Sequence, residues 1–547
     1  MNKILKILYI HSYSFWRKDS IMTIFYRISN YLNSKKDQLN GIIEEEYLDL
    51  EYEKLPEFTL KNLKSYRTEV TKLLNKIYER FDFNLVLISC YSSFSYINCI
   101  EVASIIKNLI NHNCLIAVGG LHPTICPEDF QPGNFPHYFY QDHPKNFTPF
   151  DYLIKEEGEI PFYELVQSIL NGNHKIRMNL SDRCIILKSK IIENLDEIPI
   201  IDLRLFDKYN EALKKIDTLW IDFSRGCIFS CKFCLNSENY LPCYKRVRIK
   251  SIKKCIDELN AINEISKNFP FKLVCISDLI FMPKRSYKKL FFRELNKTIN
   301  KQGEFPFKII IEDRVELCSL EDLENYKRLN IDLSIGIESF SKTLLYKMGK
   351  ILGKDESQIN IGIRNYLHRT VEIIKKANEI KLPIVLNYMY GVPGTDWTTI
   401  KEEQEFFFKK KYNGKSLIEK YIITLKLNKY MAYIGTNTYY TAEREFGTKF
   451  HFPKWWKIFD KDQMFFASLV DPSIDLSFIE SYNYAIRLIK DLMKIQNKLG
   501  NPSYSIEKLL NFKKDEGRSS YRLYKLVKQK YPKMFNSQIP IEDWFSN

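Results

Sequence analysis

Short apolar runs alternate with amphipathic helical patterns along most of this 547-residue chain, and this alternation limits its fold more than any other feature. Buried strands separated by helical segments are typical of parallel sheets, in which each crossover helix returns the chain to the same end of the sheet. The alternation runs in two series, and between them residues 176–215 mix proline and acidic residues without a clear period. We therefore predict an α/β protein with two parallel-sheet domains joined by a linker at 176–215.

The first series predicts a doubly wound, flavodoxin- or Rossmann-like parallel sheet over residues 1–175. Its candidate strands are ILKILYI (4–10), EEEYLDL (44–50), FNLVLISC (83–90) and CLIAVGG (114–120). We interpret the first run as a strand rather than a signal peptide, because Lys6 interrupts it and no small-residue cleavage site follows. Gly119 and Gly120 lie directly after the fourth run, where such sheets bind ligands, so the backbone there can approach a ligand.

The second series predicts a partial (β/α)6 barrel of the TIM type over residues 216–428. Amphipathic helical patterns separate its strands, as at 251–263, 319–329 and 362–380. The candidate strands are TLWIDFS (218–224), KLVCIS (272–277), FKIIIED (307–313), DLSIGIES (332–339), PIVLNYMYG (383–391) and KYIITLKL (420–427). Chemistry in such barrels takes place at the carboxyl ends of the strands.

The charge balance and the scattered cysteines narrow the class of protein. Lysine and arginine number 82 against 67 acidic residues, a net charge of +15, but the lysines are spread along the chain, which favours a solvated basic surface over a nucleic-acid site. Cys90, Cys114, Cys184 and Cys275 have apolar neighbours, so we predict reduced core thiols and a cytoplasmic protein. Polar residues interrupt the longest uncharged stretches, so we predict no transmembrane segment.

Three cysteines are packed into SRGCIFSCKFCLN (224–236), directly after the first predicted barrel strand. Structural zinc requires four ligands, and the next cysteine, Cys243, lies across a proline and outside zinc-site spacing. Thiolates on a short loop can instead hold an iron–sulfur cluster, and three of them leave one iron open as a site for a small chelating ligand. Zinc and unrelated core thiols are the alternatives.

The spacing CxxxC, one residue, an aromatic and then Cys resembles the signature of the radical S-adenosylmethionine (SAM) superfamily, with Phe233 at the aromatic position. The resemblance implies that Cys227, Cys231 and Cys234 hold a 4Fe-4S cluster whose open iron chelates SAM. One electron from the cluster would then cleave SAM to methionine and a 5′-deoxyadenosyl radical. An electron donor such as flavodoxin or ferredoxin is implied as a partner.

Two further segments are similar to SAM-binding segments of that superfamily. LSIGIESFSKTLLYKMGK (333–350) resembles its fourth-strand segment, and NYMYGVPGTDW (387–397) resembles its fifth-strand segment. Two departures occur, since Ser277 and Asp278 replace a common Gly-Glu pair and Thr395 replaces the Glu of Pro-Gly-Glu. The SAM contacts that the resemblance implies are Phe233, Asp278, Arg314, Glu338, Ser339, Gly391, Pro393 and Gly394.

The first 210 residues resemble the cobalamin-binding domain of class B radical SAM enzymes and its junction to the barrel. The segments are VGGLHPTICPEDF (118–130), FDYLIKEEGEIPFYELV (150–166) and LDEIPIIDLRLFDKY (195–209). The cobalamin contacts that the resemblance implies are Ser89, Ser92, Ser93, Gly119, Gly120 and His122. A DxHxxG motif is missing, so no histidine is placed as a lower cobalt ligand, and a domain that has lost its corrinoid is the alternative. His122 either touches the corrin edge or caps its own loop.

The resemblance implies transfer of a methyl group to an unactivated carbon of a peptide, lipid or secondary metabolite. Three alternatives stay open: radical cyclisation, ring contraction or carbon–carbon coupling without methyl transfer; methylthiolation of transfer RNA, which needs three more amino-terminal cysteines; and a non-catalytic corrinoid-binding protein. We expect residues 429–547 to be mainly helical, with helices at 479–499 and 518–531, and to cover the substrate. Trp455 and Trp456 either close that cavity or are ordinary packing.

Overall fold

The first domain of the computed structural model is built on one six-stranded parallel sheet with the strand order β2-β1-β3-β4-β5-β6. The model describes residues 3–14, 24–173, 182–235 and 246–504, together with residue 529. The strands of the sheet are β1 (Ile4–His11), β2 (Ile42–Asp49), β3 (Leu85–Ser89), β4 (Leu115–Gly119), β5 (Tyr152–Ile154) and β6 (Ile185–Ile186). The order is that of flavodoxin-like sheets, whose ligands bind where the strand order reverses, between β1 and β3.

The second sheet also has six parallel strands, in the order β16-β13-β12-β11-β10-β7, as expected of a partial barrel. Its strands are β7 (Thr218–Ile221), β10 (Leu273–Ile276), β11 (Lys308–Arg314), β12 (Ile331–Glu338), β13 (Ile384–Tyr390) and β16 (Thr424–Lys429). Short antiparallel pairs accompany it: β8 (Ser224–Arg225) with β9 (Arg248–Ile249), β14 (Lys411–Tyr412) with β15 (Lys415–Ser416), and β17 (Lys449–Phe450) with β18 (Val470–Asp471). The predicted α/β fold class is confirmed.

Helices cover both sheets, and several begin with a side-chain cap. Ser319 caps one of them, and Asp322 three residues on returns the bond, which forms a capping box. The helices are α1 (Phe25–Ser34), α2 (Leu63–Phe81), α3 (Tyr96–Ile105), α4 (Leu121–Ile125), α5 (Glu159–Leu170), α6 (Asn210–Leu213), α7 (Ile252–Ile265), α8 (Arg285–Gln302), α9 (Leu320–Arg328), α10 (Lys342–Lys347), α11 (Glu356–Glu379), α12 (Trp397–Gln404), α13 (Leu417–Lys420), α14 (Asn437–Phe446), α15 (Gln463–Ser468) and α16 (Phe478–Lys498).

The segment predicted as a linker takes part in the first domain. Strand β6 lies within residues 176–215 and pairs with β5, so the first sheet continues beyond residue 175. Phe206 and Tyr209 pack edge-on against Tyr47 of β2, with ring centroids 4.6 and 5.6 Å away. Apolar residues that lie between prolines and acidic residues therefore hold this segment against the sheet. The sequence did not indicate this packing, because the segment has no clear hydrophobic period.

The region after β16 packs against the first domain. Trp455 and Trp456 are buried, and Trp455 lies against Phe94 with ring centroids 4.6 Å apart. These two residues are ordinary packing, because both indoles donate hydrogen bonds to other protein groups. Helix α16 confirms the helix expected at 479–499, whereas the one expected at 518–531 lies outside the described residues.

None of the helices in the described part of the chain combines the length and the hydrophobicity that a membrane span requires.

Candidate active site

The three-cysteine loop leaves the barrel at the carboxyl end of β7, and both of its ends are pinned. Strands β8 and β9 flank the loop and pair antiparallel, with Ser224 opposite Ile249 and Arg225 opposite Arg248. The ladder closes the loop at its base, so the cysteines lie on a segment whose entry and exit are fixed.

Asp278 holds the start of this loop. Its carboxylate accepts hydrogen bonds from the backbone nitrogens of Phe223 (2.7 Å) and Ser224 (2.9 Å) and from the Ser224 hydroxyl (2.7 Å). Burial raises the pKa of Asp278 to about 7, although the three hydrogen bonds oppose the rise. Asp278 thus braces the base of the cysteine loop, and its contact with SAM stays a prediction.

Cys227, Cys231 and Cys234 all lie on this loop, and the eleven cysteines of the described residues form no disulfide with one another. Four ligands around one zinc place sulfur atoms roughly 3.8 Å apart, given a Zn–S distance of about 2.3 Å. Within the described residues, the three sulfur atoms do not all lie within 4.8 Å of one another. The loop is therefore not gathered around a single ion, whereas a cluster of several irons requires a wider arrangement.

Arg314, the last residue of β11, reaches the cysteine loop. Its Nη1 lies 3.3 Å from Cys231 Sγ, and its guanidinium lies over the ring of Phe229, 3.6 Å from the centroid. Its Nη2 donates to Glu316 Oε1 (2.7 Å) and to the Lys350 carbonyl (2.8 Å). Arg314 was predicted to face SAM, and in the structure its side chain contacts one of the cysteines.

Burial raises the pKa of the Cys227 thiol, and the cations Arg314 and Lys350 oppose that rise. Arg314 ends β11 at the carboxyl end of the barrel, and Lys350 follows α10. A thiol must lose its proton to bind iron, so these two positive charges favour the form of the ligand that the metal needs.

The fourth-strand segment contains Glu338 and Ser339, which were both predicted to contact SAM and which have different surroundings in the structure. Glu338 adopts φ +62° at a bulge in β12, and its Oε1 lies 3.2 Å from Lys350 Nζ. A left-handed backbone at a non-glycine residue is costly and is common at functional sites. Ser339 is fully buried and donates to Glu403 Oε1 (2.5 Å), so its hydroxyl bonds to a helix outside the sheet. Glu338 is thus ion-paired with Lys350, and Ser339 braces the strand end.

The fifth-strand segment forms the glycine turn that its sequence predicts. Gly391 and Gly394 adopt φ +71° and +89°, where L side chains are strained, and Pro393 is buried between them. A Cβ at Gly394 would lie 3.0 Å from Lys347 Cδ. Phe233 of the cysteine loop packs against the apolar cluster that contains Val392 of this turn. Phe233 and Val392 of the glycine turn thus contribute to one apolar cluster.

Buried ion pairs join the base of the cysteine loop to the first domain. Arg225 contacts Asp222 (2.9 Å), Glu157 (3.1 Å) and Glu159 (2.7 Å), and the two glutamates follow β5. Burial alone would raise the pKa of Asp222, but Arg27, Arg225 and Lys250 outweigh it and hold that pKa well below its usual range. The residues of this ionic cluster are Arg27, Glu157, Glu159, Asp222, Arg225, Arg248, Lys250 and Glu258.

A cavity of about 230 Å³ lies where the two domains meet. Ser89, Gly119 and Gly120 line it at the strand ends of the first domain, and Asp222 and Ser224 line it from the barrel. Gly120 has φ +122°, and a Cβ there would meet the Cys90 carbonyl oxygen at 2.5 Å, so only glycine permits this turn. The ends of both sheets therefore open onto one space.

The other residues predicted to contact cobalamin lie away from this cavity. His122 is 1 % exposed, its Nδ1 lies 2.9 Å from Ser93 Oγ, and its Nε2 lies 3.3 Å from Asp129 Oδ2. Ser92 likewise does not line the cavity in the described structure. His122 thus ties its own loop to neighbouring elements, which was one of the two roles considered for it.

His122, Cys126 and Asp129 place their ligand atoms within 4.8 Å of one another, the spacing of a metal site. Protein donors already use the Asp129 carboxylate, since Trp456 Nε1 lies 2.7 Å from Oδ2 and Lys457 Nζ lies 2.7 Å from Oδ1. An ammonium at that distance repels a cation. We interpret the group as a packed hydrogen-bonded cluster.

Two charged residues on strands of the second sheet were not among the predicted site residues. Glu312 of β11 and Lys426 of β16 are exposed and lie next to buried residues along their strands. Burial raises the pKa of Glu312, with Lys426 opposing and Glu338 adding to the rise. The strand period of two was the signal that could have identified them.

No protein-family model matches the chain. An uncharacterised methyltransferase of Pyrococcus horikoshii is 32 % identical over 203 residues, which cover 34 % of this chain and 38 % of that protein. An uncharacterised methyltransferase of Synechocystis is 26 % identical over 219 residues, which cover 40 % of this chain and 34 % of that protein. The chain thus matches little more than a third of the length of each of these relatives.

Solved structures share the fold over most of the chain. The cobalamin-dependent SAM radical enzyme OxsB aligns with a TM-score of 0.57 and 15 % identity, covering 96 % of this chain and 71 % of OxsB. The radical SAM methyltransferase TsrM of Kitasatospora setae, solved with tryptophan substrate and a SAM analogue, aligns with a TM-score of 0.53 and 13 % identity, covering 73 % of this chain and 70 % of TsrM. A second TsrM structure contains cobalamin and a [4Fe-4S] cluster. The chain therefore has the fold of these enzymes.

Proposed function

We propose that the chain is a cobalamin-dependent radical SAM enzyme that methylates an unactivated carbon. The observation that carries this proposal is the three-cysteine loop, pinned at the carboxyl end of the first strand of a six-stranded parallel barrel sheet. The fold shared with TsrM and OxsB and the methyltransferase relatives support it.

Cys227, Cys231 and Cys234 would hold a 4Fe-4S cluster, and their number leaves one iron for SAM. When bound, the cluster supplies an electron to SAM and the corrinoid carries the methyl group. The chain would supply the fixed loop base and a partly buried thiol site, which limit the access of water and set the orientation of the ligands.

Residues of β12 and β13 would hold SAM beside the cysteines. Glu338 would accept a hydrogen bond from SAM, and the turn at Gly391, Pro393 and Gly394 would let the adenine approach the backbone. Phe233 would contact the same ligand, since it packs beside this turn. Three other residues would support the SAM site indirectly, by holding the cysteine loop and the strand end. They are Asp278, Arg314 and Ser339.

The cavity between the domains would take part of the corrinoid. Its volume of about 230 Å³ is below the usual range of whole-ligand pockets, roughly 300–1,000 Å³, so it suits one arm of the molecule rather than all of it. Ser89, Gly119 and Gly120 would contact that arm. None of the three offers a cobalt ligand, so the metal would have no side-chain ligand from this group.

The substrate class is proposed only as a peptide, a lipid or a secondary metabolite. Glu312 and Lys426 would meet the substrate inside the barrel, whereas Trp455 and Trp456 would not, since both are buried. A reductant such as flavodoxin or ferredoxin would deliver the electrons. Methylthiolation of transfer RNA is not supported, because Cys90, Cys99 and Cys114 lie in the hydrophobic core of the first domain.

The products of SAM test this function without a known substrate. Protein reconstituted anaerobically with iron, sulfide and cobalamin, then reduced with titanium(III) citrate, should convert SAM to both S-adenosylhomocysteine and 5′-deoxyadenosine. Mass spectrometry of the small-molecule fraction measures both products. Deoxyadenosine without S-adenosylhomocysteine would favour radical chemistry without methyl transfer, and the absence of both would contradict the proposal.

Filling the cavity tests the corrinoid site separately. Gly119 has an ordinary backbone conformation, and a Cβ there would lie 3.6 Å from Ile154 Cβ, an ordinary contact. We expect Gly119→Leu to fold and to lose at least tenfold in cobalamin affinity, because the added side chain enters the cavity. The measurement is the corrinoid absorption that remains after desalting. Ser168→Leu, on α5 and outside the cavity lining, is the matched control and should retain cobalamin like the wild type. Equal retention by the two variants would place the corrinoid elsewhere.

A further inference from the structure

We propose that Arg314 is a positioning residue that raises the reduction potential of the cluster, by donating a charged hydrogen bond to the sulfur of Cys231. This inference rests on the proposed function, because it requires a cluster on the three cysteines. It assigns to Arg314 a role in electron transfer rather than in binding SAM.

The guanidinium has no freedom to serve another partner. Phe229 covers one of its faces at 3.6 Å, Glu316 bonds to its Nε and Nη2, and the Lys350 carbonyl accepts from Nη2. Nη1 is left pointing at Cys231 Sγ, 3.3 Å away. Arg314 is 9 % exposed and Cys231 is 6 % exposed, so bulk water does not compete for this contact. The arrangement fixes a donor on a sulfur atom and excludes solvent from it.

A fixed donor on a ligand sulfur changes the free energy of reduction. Reduction adds negative charge to the cluster and its thiolates, and a nearby guanidinium stabilises the reduced state more than the oxidised state. The effect is large where solvent screening is weak, as it is for a buried pair. Potentials of iron–sulfur clusters depend on hydrogen bonds to their sulfurs and on solvent exposure, and Arg314 controls both at Cys231.

Other charged groups lie around the contact between Arg314 and Cys231. They are Glu316 and the Lys350–Glu338 ion pair. Glu316 Oε1 lies 2.7 Å from Arg314 Nη2 and offsets part of its positive charge. Lys350 Nζ lies 3.2 Å from Glu338 Oε1, so that cation is paired in turn. Because Glu316 is an anion and Arg314 a cation, removing the charge of either should move the potential in opposite directions. A merely structural role would not produce opposite signs, because losing either partner would loosen the same loop.

The experiment is an EPR-monitored redox titration of the reconstituted holoenzyme. Arg314→Met, which keeps the length of the side chain without charge or donors, should lower the potential. The expected loss is at least tenfold in the equilibrium constant for one-electron reduction, which corresponds to about 59 mV. Arg314→Lys, which keeps the charge but not the planar fork, should show a smaller decrease. Glu316→Gln should raise the potential.

The outcomes separate this inference from the proposed function. Wild-type protein that holds no cluster would contradict the proposed function and this inference with it. A wild-type cluster whose potential is unchanged in iron-loaded Arg314→Met, or that moves in the same direction in Arg314→Met and Glu316→Gln, would overturn this inference alone. Should Arg314→Met lose its iron, Arg314→Lys and Glu316→Gln decide the matter by the same readout.

Discussion

Replacing Cys231 by alanine should remove the bound iron and abolish SAM cleavage. Two thiolates remain on the loop, too few to hold a 4Fe-4S cluster that already lacks a fourth protein ligand. Bound iron, measured by a colorimetric assay after anaerobic reconstitution and desalting, should fall from about four atoms per chain to background. The EPR signal of the reduced cluster should disappear with it.

Cys255→Ala is the matched control, since Cys255 is a fully buried thiol on α7 that lies outside the cysteine loop. It should bind iron like the wild type, at a cost in stability of about 1 kcal/mol for the small cavity it leaves. Retention of iron by Cys231→Ala, or its equal loss in both variants, would count against the cluster.

Four strands of the first sheet and all six of the second could be predicted because they repeat a local pattern, whereas the short strands β5 and β6 were not predicted. Strand β12 alternates strictly between buried and partly buried residues, as its sequence indicates, and β3 is fully buried along its length, as expected of a central strand in a sheet covered on both faces. Helix α8 was not singled out, since most of its side chains are charged or polar and it buries only Lys288, Phe291, Phe292 and Leu295. The hydrophobic periodicity of a sequence identifies a helix only where the helix buries a wide stripe of apolar residues.

The candidate site was predictable only where a motif is local. The three cysteines and the Gly-Pro turn are close in sequence, and the structure places each on the loop that its motif implies. Arg314, Asp278 and Ser339 each have a distant partner. These partners are Cys231, Phe223 and Glu403, which lie 83, 55 and 64 residues away in the sequence, and no spacing rule connects them. In the structure these side chains hold the loop and the strand end, which the sequence did not indicate, and their contacts with SAM stay predictions.

The ionic cluster at the base of the loop is the clearest product of long-range packing. Glu157 and Glu159 follow a strand of the first domain, whereas Asp222 and Arg225 lie at the first strand of the barrel. These oppositely charged residues come into contact only when the two domains pack together. Their ion pairs then hold the loop base beside the cavity. The position of the loop base therefore depends on how the two domains pack together. The next prediction tests this dependence.

Replacing Arg225 by methionine should lower the free energy of unfolding by about 3–5 kcal/mol, the cost of breaking a buried ion pair. The substitution leaves Asp222, Glu157 and Glu159 without a cation that lies within 3.1 Å of each of them, and each carboxylate is less than a tenth exposed. Since folded proteins are stable by only 5–15 kcal/mol, the loss should be visible as a large decrease in the urea midpoint, followed by circular dichroism.

Arg204→Met is the matched control, because Arg204 pairs with Asp202 but its side chain is 86 % exposed, and exposed pairs contribute about 1 kcal/mol or less. If the two variants unfold at the same urea concentration, the buried charges do not hold the loop base to the first domain, and the packing of the apolar residues around the cavity alone must do so.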